Sequence, residues 1–216
     1  MAIQKNGFLG PFTGKLGKVI GYVDQFGQQR LRTIGERNYD NPSIGMQQTW
    51  RKTALVTELL KPVMDFIRLS FAAEAKAKKI SAYNVAYAEN RKAVTGVFPD
   101  LQMDYSKVVL SKGDLLPAQN PEVVAVNEGL MFAWDYQYDG KFSKPTDLAM
   151  LMAYYPAEGL AFYLKAAASR KQGYAVMDLP FNPNGQMLET YIVFISDDHK
   201  RISNSAYLGQ IVFDKP

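Results

Sequence analysis

Two glycine–lysine pairs lie near the start of the chain, Gly14-Lys15 and Gly17-Lys18, and this combination of residues can bind phosphate. In a phosphate-binding loop, glycine amides and a lysine surround the phosphates, and a Ser or Thr after the lysine binds the metal. Here Leu16 and Val19 follow the lysines, and neither pair has the required glycine five positions earlier. The spacing argues against nucleotide hydrolysis and favours strand-edge glycines beside solvated lysines.

The only histidine, His199, follows Asp197 and Asp198. A catalytic triad needs a nucleophile held beside a base that a third group orients, whereas Ser196 and Ser203 are only sequence neighbours of His199. A zinc site needs more nitrogen or sulfur ligands than this cysteine-free chain offers. We therefore predict no catalytic residue, no metal, no cofactor and no small-molecule substrate.

A basic surface is the remaining candidate site, and it would bind a partner. Its predicted residues are Lys15, Lys18, Arg30, Arg32, Arg51 and Lys52. A period of two in the predicted strand 28–34 places Arg30 and Arg32 on one face. Tyr22 and Trp50 lie nearby in sequence, and basic residues with interleaved aromatic rings are typical of nucleic-acid binders. A core position for both rings is the competing interpretation.

The charge of the chain is distributed unevenly. The 216 residues are 47% hydrophobic and carry a net charge of +4. Residues 1–111 hold 16 basic and 9 acidic residues, a net of +7, and residues 112–216 hold 9 and 12, a net of −3. Such a split suits an anionic partner, or copies of the chain that stack head to tail.

The start of the chain lacks the apolar core and the cleavage site of a signal peptide. The apolar stretches are also too short to span a bilayer. We therefore expect a cytoplasmic or particle-associated protein that makes no membrane contact. The absence of cysteine excludes disulfides.

The first half predicts a glycine-rich β-hairpin followed by helices. Six of the 16 glycines fall within the first 27 residues, which favours turns and close backbone contacts over a helix. The predicted elements are strands 18–24 and 28–34, a helix from Ile44 to Leu60, a second after Pro62, a third from Ser81 to about Thr95, and a strand over 104–110. The basic run between the last two helices, residues 76–79, is predicted to be a solvated turn.

The second half predicts a β-sandwich, because short alternating strands recur between turn-rich pieces. The predicted strands are 122–127, 129–136, 147–155, 160–166, 173–179, 188–196 and 205–213. Tyr154, Tyr155, Phe162 and Tyr163 crowd the middle strands. An outward strip of these rings would suit carbohydrate binding, although packing on a sheet face is the commoner use of such rings.

Two motifs in this half alternate large apolar side chains, Leu130-x-Phe132-x-Trp134 and Tyr191-x-Val193-x-Ile195. The loop 197–200 and the serines Ser203 and Ser205 follow the second motif. Over roughly residues 115–214 the segment resembles a fibronectin type III domain, in its second strand and in its sixth strand with the serine-bearing turn. The resemblance implies a core tryptophan, a binding or spacer role and no catalysis.

A set of short motifs extends over the whole chain. They are Gly14-Lys15-x-Gly17-Lys18-Val19, Arg32, Asn41-Pro42, Gln47-Gln48, Leu60-Lys61-Pro62 and Ser203-Asn204-Ser205-x-Tyr207. These motifs resemble an uncharacterised bacterial domain-of-unknown-function family, met mostly in Bacteroidetes genomes and sometimes near mobile elements. Thr33-Ile34-Gly35 departs from the Ser-x-Pro piece of many members. The resemblance implies that the two halves belong to one unit, and it carries no assigned activity.

These observations predict an α+β protein with a basic hairpin and helical domain over 1–111. A seven-stranded fibronectin-like or immunoglobulin-like β-sandwich is expected over 112–216. The predicted function is a non-enzymatic structural or adaptor module, such as a component of a self-assembling phage-like or mobile-element particle. Its partner would be another protein or a copy of itself. Nucleic-acid binding by the basic half and carbohydrate binding by the sandwich are the alternatives.

Overall fold

A computed structural model describes residues 3–4, 10–35, 41–179 and 185–213. The chain divides into two compact units, Met1–Gln47 and Gln48–Pro216, called here the N-terminal unit and the C-terminal unit. The division differs from the boundary that the sequence predicts after residue 111. Residues on both sides of position 111 share one hydrophobic core, from Val56 to Leu110 and from Met150 to Ile202.

The N-terminal unit contains one antiparallel sheet with strands in chain order. The strands are β1 (Ile3–Gln4), β2 (Phe12–Leu16), β3 (Val19–Val23) and β4 (Gln29–Thr33). A two-residue turn joins β2 to β3, and Gly17 adopts φ +60° there, a left-handed backbone that favours glycine. Asp24 closes the next turn, because its Oδ1 accepts hydrogen bonds from the amides of Phe26 (3.0 Å) and Gln28 (2.9 Å).

Four α-helices lie in the described part of the chain. They are α1 (Ile44–Leu60), α2 (Met64–Ser70), α3 (Ala72–Lys78) and α4 (Ala82–Asn90). The predicted start of α1 is confirmed: the Ser43 hydroxyl accepts a hydrogen bond from the Met46 amide at 3.3 Å. Ser81 caps α4 in the same way, through the Asn84 amide.

Three predictions for the segment from residue 76 to residue 110 are wrong. The run 76–79 belongs to α3 and its C-cap, since helical bonds continue to Lys79. Helix α4 ends at Asn90 and does not reach Thr95. The Asn90 side chain hydrogen-bonds the backbone of Val109 at this point. The predicted strand 104–110 does not form: Tyr105–Lys107 is a 3₁₀ turn, and the short antiparallel pair β5 (Val94–Thr95) and β6 (Gln102–Met103) precedes it.

The rest of the chain forms two antiparallel sheets. The strands are β7 (Gln119–Val126), β8 (Gly129–Asp135), β9 (Leu148–Tyr155), β10 (Leu160–Ser169), β11 (Tyr174–Asp178), β12 (Gln186–Ile195) and β13 (Ala206–Phe213). Their orders are β10-β9-β12-β13 and β11-β8-β7. Each strand overlaps one that the sequence predicts, and the described protein is mixed α and β with several antiparallel sheets.

In the sheet β10-β9-β12-β13, the central strands β9 and β12 are buried on both faces. Phe194 on β12 belongs to a cluster shared with the three-stranded sheet, where its ring centroid lies 5.5 Å from that of Trp134. On the opposite face Tyr191 and Val193 join a cluster with the helices, and Phe66 meets Tyr163 at 5.8 Å. The alternation along β12 therefore serves two cores at once.

This arrangement decides the position of the aromatic strip. Tyr154 and Tyr163 pack in the cluster shared with the helices, and Tyr155 and Phe162 pack in the cluster between the sheets. The four rings pack on two different sheet faces, so they do not form the outward strip that carbohydrate binding needs. In the described residues no helix has both the length and the apolar character to cross a membrane.

Candidate interaction surfaces

The register of the N-terminal sheet brings three of the predicted basic residues to one face. Lys15 on β2 and Arg32 on β4 both pair with Ile20 on β3. Arg30 pairs with Tyr22, two residues further along β3, so all five side chains lie on the same side of the sheet. We call this the cation face: a central strand of Ile20 and Tyr22 flanked by cations.

One of these cations is already paired. Arg30 Nε donates to Asp24 Oδ2 at 2.9 Å, and a second guanidinium nitrogen donates to the Gln28 side chain at 2.9 Å. The backbone hydrogen bond from Gln28 holds the pKa of Asp24 below its usual value, and the bond from Arg30 acts in the same direction. Among the described residues, Lys15 and Arg32 make no ion pair. The free charge of the cation face therefore resides mainly on Lys15 and Arg32.

The other predicted basic residues lie elsewhere. Lys18 occupies the tight turn between β2 and β3, where its carbonyl accepts a hydrogen bond from the Ile34 amide at 2.8 Å. Arg51 and Lys52 lie on α1 in the C-terminal unit. The six predicted residues thus fall into a face, a turn and a helix.

The opposite face of the N-terminal sheet is apolar. Leu16 is 63% exposed and Leu31 is 60% exposed. Phe12 lies on this side against Gly21, where a Cβ atom would come within 2.6 Å of the phenyl ring, so only glycine leaves room for it. We call this surface, with Phe12, Leu16 and Leu31, the apolar face.

Among the described strand residues of this sheet, only Gly21 is buried. Tyr22 remains 46% exposed and Trp50 on α1 remains 45% exposed, so the prediction that both rings are core residues is wrong. The physical reason at Tyr22 is that the described residues of the N-terminal unit form one sheet and no second layer that would cover its outward side chains.

The C-terminal unit exposes a second sheet surface. Residues on the outer side of the three-stranded sheet point away from Phe132 and Trp134, which are buried. Val176, Met131 and Val124 form one cross-strand row, and Tyr174, which is 53% exposed, lies in the next. Three exposed carboxylate residues share this side, Glu122, Asp135 and Asp178. We call it the carboxylate-rimmed face.

Grooves in the C-terminal unit bring some polar groups together. One of about 330 Å³ is lined in part by Arg51, Glu58, Tyr105 and Tyr154. Burial raises the pKa of Tyr105 and Tyr154, so both phenols stay protonated near neutral pH. Neither phenol lies beside a histidine, because the only one, His199, sits in a turn where Asp198 bonds the Ser196 hydroxyl.

The polar groups of this chain also have structural roles that the sequence did not reveal. The motif serines join distant segments: Ser205 Oγ accepts from the Leu110 amide at 3.0 Å, and Ser111 Oγ donates to the Ser203 carbonyl at 2.8 Å. Asn204 accepts from the Gly113 amide. Among the described residues, no group of three His, Cys, Asp or Glu side chains could hold a metal ion.

The fold and surfaces define a mixed α and β protein whose most distinctive exposed features are sheet faces. The chain belongs to a family of unknown function, DUF6266, which it matches over residues 11–209. The match includes both units, as the resemblance of the short motifs implied. Comparisons with the curated proteins and with the solved structures found no match.

Proposed function

We propose that the chain is a non-enzymatic assembly module whose N-terminal sheet docks on a protein partner. One observation carries the proposal: this sheet exposes apolar side chains, with Leu16 and Leu31 both more than half exposed and only Gly21 buried among the described residues of its strands. A sheet ordinarily buries one face against another layer. A docking partner would supply that layer.

The C-terminal unit fits the role of a rigid spacer. We propose a fibronectin type III-like sandwich for residues 115–214, and the strand orders β11-β8-β7 and β10-β9-β12-β13 support this fold. The helices add a third layer. Large rings such as Trp134, Tyr155 and Phe194 fill its interior, which supports a scaffold more than a reaction site.

The experiment is sedimentation velocity on the full chain over a range of concentrations. We expect species larger than the monomer, in keeping with a component of a self-assembling particle in the cytoplasm or the virion. The double variant Leu16→Thr/Leu31→Thr should shift the distribution towards monomer. Val97→Thr is the matched control, because Val97 is exposed and belongs to the other unit. A wild-type chain that stays monomeric throughout would contradict self-assembly.

Nucleic-acid binding is the second candidate, and the cation face favours it. Lys15 and Arg32 flank Ile20 beside the exposed ring of Tyr22, so charge and a stacking surface coincide. Anisotropy of labelled DNA at rising salt tests this function. A steep loss of affinity with salt that Lys15→Glu/Arg32→Glu abolishes would favour nucleic acid over protein docking.

A further inference from the structure

We propose that the cation face of one copy binds the carboxylate-rimmed face of a second copy, so that chains join head to tail. The inference rests on the proposed function and adds a second contact, through the side of the N-terminal sheet opposite the apolar face. Two observations support it: each face has an apolar middle, and their charges are opposite.

The apolar parts of the two faces match in form. The cation face has Ile20 and Tyr22 along its middle strand. The carboxylate-rimmed face has Met131 in the middle strand, with Val124 and Val176 on either side of it. Both are exposed sheet surfaces, and two sheets pack face to face at about 10 Å with interdigitating side chains.

The charges lie at the margins of both faces. Lys15 and Arg32 occupy the outer strands of the cation face, on either side of Ile20. On the carboxylate-rimmed face, Glu122 and Asp178 lie on the two outer strands, at opposite ends of the apolar rows. The outward positions of β7, β8 and β11 hold no Lys or Arg in the described residues. Opposite charges around an apolar centre steer and orient two surfaces.

The size of the faces makes a single contact weak. Five residues at about 3.4 Å each and three strands about 4.8 Å apart give a patch of about 17 Å by 10 Å. The area of this patch is well below the roughly 800 Å² that each partner buries in a standard stable interface. Because the two faces differ, each copy can bind one neighbour through each face, and the contact propagates into rings or filaments.

The test uses two charge-reversed full-length chains in sedimentation velocity at low salt. Lys15→Glu/Arg32→Glu reverses the cation face, and Glu122→Lys/Asp178→Lys reverses the other. Each chain alone should associate about tenfold more weakly than the wild type, because like charges then face each other. An equimolar mixture should recover association, since the two reversed faces attract and the two unchanged faces still match.

Matched controls carry the same charge changes on α-helices or exposed turns of the C-terminal unit. They are Lys61→Glu/Lys76→Glu and Glu58→Lys/Asp100→Lys, all at exposed positions. Both controls should associate like the wild type at equal salt. Single reversals, Arg32→Glu and Glu122→Lys, provide milder versions if a double variant has an altered circular dichroism spectrum.

The outcomes separate the two proposals. Unchanged association in both reversed chains, or a mixture that stays dissociated, overturns the head-to-tail contact. If Leu16→Thr/Leu31→Thr still weakens that association, the assembly function stands and the docking surface is a different one. A wild-type chain that is monomeric at every concentration overturns the head-to-tail contact and the self-assembling form of the proposed function.

Discussion

The ion pair between Arg170 and Asp147 offers the sharpest test of how the C-terminal unit is held together. Both side chains are almost fully buried, and Arg170 Nε lies 3.1 Å from Asp147 Oδ2. Arg170 Nη2 also donates to the Leu116 carbonyl at 2.7 Å, and its guanidinium lies 3.7 Å from the Phe194 ring centroid. Burial lowers the pKa of Arg170, and the charge of Asp147 opposes that shift.

Replacing Arg170 by methionine keeps most of the apolar stem and removes the charge. The Asp147 carboxylate then stays buried with one amide donor, from Lys144 at 2.9 Å. Leaving a buried charge uncompensated costs about 3 to 5 kcal/mol of unfolding free energy. Asp147→Asn instead leaves the buried guanidinium of Arg170 without its carboxylate partner and should lower the free energy of unfolding by a similar amount. The double variant removes both charges, so its loss should be at least about 2 kcal/mol smaller than the sum of the single losses.

Urea unfolding followed by tryptophan fluorescence measures these losses, because Trp134 Nε1 donates to the Arg170 carbonyl at 2.9 Å. Lys171→Met is the matched control: Lys171 is the next residue and is exposed, so its loss should stay within about 0.5 kcal/mol. An Arg170→Met chain that loses less than about 1 kcal/mol, or single losses that simply add, would refute the reasoning.

Two further predictions concern buried tyrosines. Tyr155→Phe should leave the free energy of unfolding unchanged or raise it by up to about 1 kcal/mol, because the buried Tyr155 hydroxyl has no partner among the described residues. Tyr191→Phe should instead lower it by about 1 kcal/mol, because the 2.8 Å hydrogen bond to the Tyr105 carbonyl is lost. Urea midpoints of the two variants measure this, and equal losses would contradict it. Burial raises the pKa of Tyr155 to about 12, above the roughly 10 of an unfolded chain, so stability should fall as pH rises from about 10 to 12. The part of the phenolate absorbance that comes from the buried tyrosines should therefore rise together with unfolding, and full titration of every tyrosine in a still folded chain would disprove the shift.

Local sequence signals were sufficient for much of the fold. The Asn41-Pro42-Ser43 stop and cap set the start of α1, since a hydroxyl before a helix bonds its free amides. Alternating apolar residues marked all of the strands from β7 to β13, because a period of two is a property of the strand itself. The family membership could also be read from short motifs.

The candidate site was only partly predictable. The period of two correctly placed Arg30 and Arg32 on one face, and strand pairing added Lys15. Sequence distance gave no warning that Arg51 belongs to another compact unit, or that Asp24 pairs with Arg30. The carboxylate-rimmed face was missed, although the spacing of Tyr174, Val176 and Asp178 was an available signal.

The sequence alone determined which side chains alternate, where helices begin and how charge divides along the chain, because these depend on neighbours within a few residues. Only the tertiary structure decided what covers each face. Tyr154 and Tyr163 are buried because helices pack on that side of the sheet, and Tyr22 is exposed because the described residues of its own unit supply no second layer. Burial depends on contacts between residues far apart in the chain, and a local pattern does not encode which distant layer supplies them.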